Sequence, residues 1–108
     1  MNKTAAVDAL GALAHPIRLD AFRALVVAGH EGLTPGLLVE MLGVTYAKLG
    51  FHLKDLAEAG LVTQEQVGRN VIYRAAYARM DELLAFLTKN CCKGPGAIEP
   101  SNAGECSC

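Results

Sequence analysis

The chain has 108 residues, about half of them apolar (52%), no tryptophan and a formal net charge of −1. That length fits one domain with a modest core that dimerisation would help; the apolar content excludes a disordered chain, and the near-neutral balance excludes a general pull on nucleic acid, so any DNA contact must come from locally placed Lys and Arg. Apolar runs such as Ala24 to Ala28 are far too short to span a bilayer, and the N-terminus lacks the basic, apolar, small-residue order of a secretory signal, so a cytoplasmic protein with no membrane partner is expected.

Thr4 is placed to cap a first helix whose apolar positions Ala5, Ala6, Ala9, Leu10 and Leu13 follow helical spacing. His15-Pro16 interrupts it, with Pro16 suited to the first turn of a second helix carrying Ile17, Leu19, Phe22, Leu25 and Val26. Gly29, Gly32 and Gly36 bracket a turn, and Thr34-Pro35 opens a short third helix with Leu37, Leu38, Met41 and Leu42, ended by Gly43. Thr45 caps a fourth helix with Leu49, Leu53 and Leu56 on one face, and Gly60 terminates it. From Leu61 the period becomes alternating: residues 61–66 and 71–74 predict two strands joined across Val67-Gly68-Arg69-Asn70, with Gly and Asn where positive φ is needed. A last helix runs from about Tyr77 to Asn90 and carries Leu83, Leu84, Phe86 and Leu87. Beyond it Gly94, Pro95, Gly96, Pro100 and Gly104 predict a flexible tail without a core of its own.

Helix, tight turn through Gly43, helix and hairpin form the winged helix-turn-helix pattern. The expected fold is mainly α with a β-hairpin wing, in the order α-α-α-α-β-β-α. With Leu49, Leu53 and Leu56 packed inward, the fourth helix presents Ala47, Phe51 and Lys54 outward, flanked by Lys48 and Gly50. Gly50 costs about 1 kcal/mol in helix propensity relative to Ala, which makes sense if the helix backbone must approach another surface closely. The candidate DNA-binding set is therefore Thr45, Tyr46, Lys48, Gly50, Phe51 and Lys54, with Arg69, Asn70 and Arg74 on the hairpin. Taken singly, these charges also read as a solvated face.

At this point the chain resembles the ArsR/SmtB family of metalloregulatory winged-helix repressors. The resemblance covers about Leu10 to Asn90. It rests on Ala12-Leu13-Ala14-His15-Pro16-Ile17-Arg18-Leu19, on Phe51-His52-Leu53-Lys54-Asp55-Leu56 with Ala59-Gly60-Leu61-Val62, and on Gly68-Arg69-Asn70-Val71-Ile72-Tyr73-Arg74. It implies a homodimer formed through the first and last helices that represses by binding an imperfect palindrome in double-stranded operator DNA and lets go when an inducer binds. Two inducer sites of the family are missing: Leu33 to Leu42 holds no cysteine, and the last helix offers Asp81 and Glu82 but no histidine. What remains resembles members with a vicinal cysteine pair at the end of the last helix and further cysteines downstream, which respond to trivalent arsenic or antimony.

All four cysteines, Cys91, Cys92, Cys106 and Cys108, fall in the last eighteen residues. The chain divides accordingly into a DNA-binding and dimerisation domain, 1–90, and a cysteine-bearing metalloid-binding tail, 91–108. In a reducing compartment clustered cysteines are ligands or redox sensors more often than disulfides. Trivalent arsenic exchanges hydroxides for thiolates and needs three sulfurs and no balancing charge; soft thiolates suit it. Cys91 and Cys92 converge only if the helix frays or ends at Asn90, and Cys106 and Cys108 fall on one side of an extended segment. Either of these two is the candidate third ligand. Four thiolates also suit zinc or cadmium, at net −2 with only Lys89 and Lys93 near to balance it. Two suffice for methylated arsenite, and thiol oxidation is a further alternative. No permanent cofactor is expected. His15, His30 and His52 read as packing or capping residues. An enzyme is not expected: a thiol oxidoreductase would need Cys-x-x-Cys on a βαβ scaffold, and the chain has neither. A protein-interaction module on the same fold stays open.

Overall fold

The computed structural model describes residues 1–90, so the cysteine tail lies outside the described residues. The elements are α1 (Lys3–Leu13), α2 (Pro16–Ala28), a 3-10 turn (Gly29–Glu31), α3 (Pro35–Leu42), α4 (Tyr46–Glu58), β1 (Val62–Val67), β2 (Asn70–Ala75) and α5 (Tyr77–Thr88). This is the expected helical body with an antiparallel wing. The buried core draws on every helix: Ala6, Ala9 and Ala12 of α1, Ala21, Phe22 and Leu25 of α2, Leu38 of α3, Leu49, Leu53 and Leu56 of α4, and Leu83 of α5, closed by Leu61, Val62 and Ala75 at the base of the wing.

The helix starts are set by side-chain acceptors. Thr34 and Thr45 cap α3 and α4 as expected, their hydroxyls accepting from the amides of Leu37 (3.3 Å) and Lys48 (3.2 Å). His15 caps α2 through Nδ1, which accepts from the Ile17 amide at 3.2 Å, ahead of Pro16 in the first turn. The cap of α1 is Asn2 rather than Thr4. Its Oδ1 accepts from the Ala5 amide at 2.7 Å, so the helix begins earlier and Thr4 lies inside it. α5 stops at Thr88, and Asn90 takes the left-handed conformation (φ 63°), so the chain leaves the helix axis just before Cys91.

The wing differs from expectation in its turn. Val67 pairs with Asn70, so the loop is the two residues Gly68-Arg69, and positive φ is supplied by Gly68 (62°) and not by Asn70. A glycine at the first central position matches the tight hairpin turn that follows the natural twist of the strands. The hairpin is also not isolated. Leu33 and Tyr73 exchange both backbone bonds at 2.9 Å, adding a single bridge on the free side of β2 and tying the wing to the segment before α3. Gly32 makes this approach possible: a Cβ there would lie 2.5 Å from the Tyr73 carbonyl oxygen and 2.6 Å from Ile72 Cγ2.

Helical spacing also overstates what one chain buries. Val7 and Leu10 on α1, Leu19 on α2, Leu37 and Met41 on α3, and Leu84 and Leu87 on α5 are exposed. Periodicity marks the stripe, but the width of the stripe that a single chain covers is a tertiary property.

Gly32 has φ 68° and ψ −171°, a region closed to residues with side chains. Gly32→Ala should therefore lower stability by about 2 to 3 kcal/mol in urea titration, counting backbone strain together with the clash against Tyr73. Gly50→Ala meets nothing within 4 Å and should raise it by about 1 kcal/mol. Equal effects at the two glycines would contradict the close approach of Leu33 and β2.

Candidate nucleic-acid interface

The division of α4 into two faces builds the site. Leu49, His52, Leu53 and Leu56 are buried, and the opposite side leaves Ala47, Lys48, Gly50, Phe51 and Lys54 exposed. Thr45 is occupied as the cap, so its hydroxyl serves the helix first. Tyr46 and Phe51 are each 64% exposed, large apolar side chains left in solvent on a thirteen-residue helix. Tyr46 reaches back toward α3, where a Cβ on Gly36 would come within 3.3 Å of its hydroxyl.

The inner edge of α4 is held by a polar joint not foreseen from sequence. Arg18 on α2 donates from Nε to His52 Nδ1 at 3.2 Å and from Nη2 to Asp55 Oδ2 at 2.5 Å. The His15 ring lies against His52 at a centroid distance of 4.4 Å, tilted by 43°. Both Nδ1 atoms are thus hydrogen-bond acceptors, which places the proton of each neutral ring on Nε2. Sequence reasoning put the histidines among packing and capping residues; that holds for His15 and His52, but the bridge by Arg18 went unseen because its partners are more than thirty residues away.

Arg69 is exposed at the wing tip, and Asn70 is exposed where β2 begins. Arg74 is placed differently from a free DNA contact: Nε donates to the His30 carbonyl at 2.6 Å and Nη1 to Glu65 Oε1 at 2.9 Å. It braces the two strands against the 3-10 turn. Between α4 and the wing runs a crevice of about 310 Å³ bordered by Gly50, Lys54, Gln64 and Tyr73, so recognition helix and hairpin open onto one surface. Among the described residues no group of three or more His, Cys, Asp or Glu is placed to hold a metal ion, and no helix is long and apolar enough to cross a membrane.

Burial holds the His52 pKa below its ordinary value of 6.5; the neighbouring His15, Arg18 and Lys48 push the same way, and Asp55 opposes them. The folded state therefore binds fewer protons at His52 than the unfolded state in the window just below pH 6.5. Stability should be fully present above that pH and fall as the pH drops through the lower, folded value, with a slope of at most about 1.4 kcal/mol per pH unit from this one group. His52→Asn should remove this component of the slope in urea titrations between pH 7.5 and 5. A slope unchanged by the substitution would take His52 out of the account.

A family of helix-turn-helix domains matches residues 13–65, which spans α2 to the wing. Among solved structures, the chain is similar to an ArsR-like transcriptional regulator from Rhodococcus sp. RHA1, at 26% identity over 78% of this chain and 76% of that one (TM-score 0.69). It is similar to a possible transcriptional regulator for arsenical resistance at 30% identity over 74% and 80% (TM-score 0.65), and to HlyU from Vibrio cholerae N16961 at 30% identity over 81% and 97% (TM-score 0.63). No curated protein sequence matches. With α3 and α4 joined through Gly43, the exposed face of α4 beside the wing, and these relatives sharing the arrangement over most of their length, the chain belongs to the ArsR/SmtB family of winged helix-turn-helix transcriptional regulators.

Proposed function

We propose that the protein is an arsenic(III)- or antimony(III)-responsive repressor that binds operator DNA as a homodimer and is released when its cysteine thiolates take up the metalloid. The observation that carries this reading is one of position. The chain's only four cysteines begin at Cys91, directly after the Asn90 turn that ends α5, and α5 exposes Leu84 (53%) and Leu87 (52%). An exposed apolar stripe on α5, with Val7 and Leu10 exposed on α1, is what a second copy would cover. A ligand site that starts at the end of that helix can thus alter how two subunits pack.

The donor set fits the inducer chemically. Cys91, Cys92 and one of Cys106 and Cys108 supply three soft sulfurs, which form a neutral trigonal site on a trivalent metalloid and need no charge from the body. The relative described as a possible regulator for arsenical resistance supports the same assignment. In the DNA-bound dimer two α4 helices must sit about 34 Å apart, one turn of the duplex. A small rotation of one subunit against the other spoils that register. Lys48, Lys54 and Arg69 carry phosphate contacts, and Arg74 serves the wing from within.

A chain ending at Asn90 should bind the DNA upstream of its own gene in mobility-shift assays and remain bound at arsenite concentrations that release the full chain. A truncated protein still released by arsenite would place the sensor elsewhere and end this reading. Removing Cys106 and Cys108 together should abolish the arsenite response; a full response with Cys91 and Cys92 alone would favour a two-thiol, methylarsenite site.

Lys54→Ala should weaken operator binding and reduce the salt dependence by about one unit of slope, with dimerisation and arsenite binding unaffected. Unchanged slope and affinity would remove Lys54 from the interface.

A further inference from the structure

We propose that the recognition helix reads its operator through thymine 5-methyl groups, with Phe51 as the reader; this rests on the DNA-binding role of α4 proposed above. The first ground is what α4 lacks. From Tyr46 to Glu58 it contains no Arg, Asn or Gln, and so none of the side chains that make paired hydrogen bonds to guanine through a guanidinium or to adenine through an amide. Lys48 and Lys54 can reach a phosphate or a guanine edge, but each is a single flexible point charge with little directional discrimination. Of the other exposed residues in the first half of the helix, Ala47, Gly50 and Phe51 are apolar, and Tyr46 in the first turn adds a ring with a single hydroxyl.

The second ground is how Phe51 is held. Its ring is 64% exposed, outside the core that the neighbouring His52 and Leu53 help to form. It stands edge to face on His52, with centroids 5.9 Å apart and planes at 81°. His52 in turn is buried at 8% exposure and fixed by the Arg18 guanidinium and the His15 ring. The exposed ring is thus borne by a rigid joint and not by a loop.

The third ground is clearance. Gly50, which flanks Phe51 on the exposed side of the helix, would meet nothing within 4 Å if it carried a Cβ. The chain itself therefore gives no packing reason for a glycine there, while an approaching groove floor gains room beside the aromatic ring. In the major groove the one apolar group that a base pair offers is the thymine C5 methyl. A rigid, exposed phenyl ring in the middle of a recognition helix matches that group and no other base-edge feature.

The test separates this inference from the function it rests on. The full-length protein is used to select duplexes from a random pool, and each thymine of the selected site is then replaced by deoxyuridine, which deletes the methyl alone. At one thymine in each half-site the substitution should weaken binding about fourfold, the equivalent of one buried methyl, with the two half-sites multiplying. Phe51→Ala should weaken binding to the thymine duplex and lose the difference between thymine and uracil. Phe51→Leu should keep part of that difference. Unaltered thermal unfolding of both variants would show that the fold is intact. Equal binding of thymine and uracil duplexes by the natural chain, or a thymine preference that survives Phe51→Ala, would overturn the inference and leave DNA binding standing. Failure to select any duplex would overturn both.

Discussion

The fork of Arg18 into His52 and Asp55 is the constraint on which the DNA-facing surface depends. α4 has a buried side set by Leu49, Leu53 and Leu56 and an exposed side, but apolar burial is non-directional and so constrains small rotations about the helix axis less sharply than oriented bonds do. Two directional bonds from one planar guanidinium, to residues 52 and 55, do not tolerate them. They lock α4 in azimuth against α2, and His15 adds a ring contact from the cap of the same helix. Phe51 and Lys54 then project where the joint aims them. The joint is partly buried, with side-chain exposures of 19% for Arg18 and 32% for Asp55. Its value therefore lies in orientation more than in net stabilisation, since desolvation offsets much of such a pair's attraction.

A second restraint sets the wing. The Leu33 bridge and the Arg74 brace attach the hairpin to the loop between α2 and α3, so the wing moves with the body that carries α4. Tyr77 continues the chain of attachments: its hydroxyl donates to the Val26 carbonyl at 2.9 Å, pinning the start of α5 to the end of α2. α5 thus begins on a fixed point and ends at Thr88, with Lys89 and the left-handed Asn90 between it and Cys91 in the sequence. Within one chain, recognition helix, wing and the root of α5 form a single unit. In the proposed dimer, a change at the far end of α5 is for that reason better expressed as rotation between subunits than as rearrangement inside one.

Legibility from sequence followed the range of the interaction. Helix boundaries at Pro16, Pro35 and Thr45 were readable because each cap bonds within three residues, and the outward face of α4 was readable from the spacing of its leucines. The hairpin was placed to within a residue at each end, but its turn was drawn too long, because Asn70 suits a left-handed turn position that Gly68 alone fills. The Leu33 bridge, the Arg18 fork and the bond from Arg74 to the His30 carbonyl were illegible: each joins residues made neighbours only by the finished fold, and Leu33, Arg18 and Arg74 carry no local signal of these partners. Arg74 was accordingly named as a candidate DNA contact without its internal partners in view. The exposure of Leu84 and Leu87 was hidden by the same limit, since a stripe on a wheel does not say whether the same chain covers it. The tail cysteines, where inducer specificity resides in the proposed function, lie outside the described residues.

The electrostatics of the surface fit the release from DNA proposed above. Of the arginines near α4 and the wing, Arg18 and Arg74 are committed to internal partners, and Arg79 on α5 lies 3.7 Å from Glu82. That leaves Lys48, Lys54 and Arg69 as exposed cations on α4 and the wing tip. In the proposed dimer, three charges on each subunit correspond to a salt slope of about −5 if every one meets a phosphate. The overall charge of −1 adds no general attraction to this. An inducer acting through subunit packing typically supplies about 1 to 3 kcal/mol of coupling, or a 5- to 150-fold change in affinity. Against a heavily basic surface such a change would leave the protein on DNA through non-specific contacts alone. In the proposed dimer, with few phosphate contacts and discrimination resting on how well two α4 helices match their half-sites, the same coupling takes away a substantial share of the margin of about 4 to 10 kcal/mol that typically separates operator from bulk DNA.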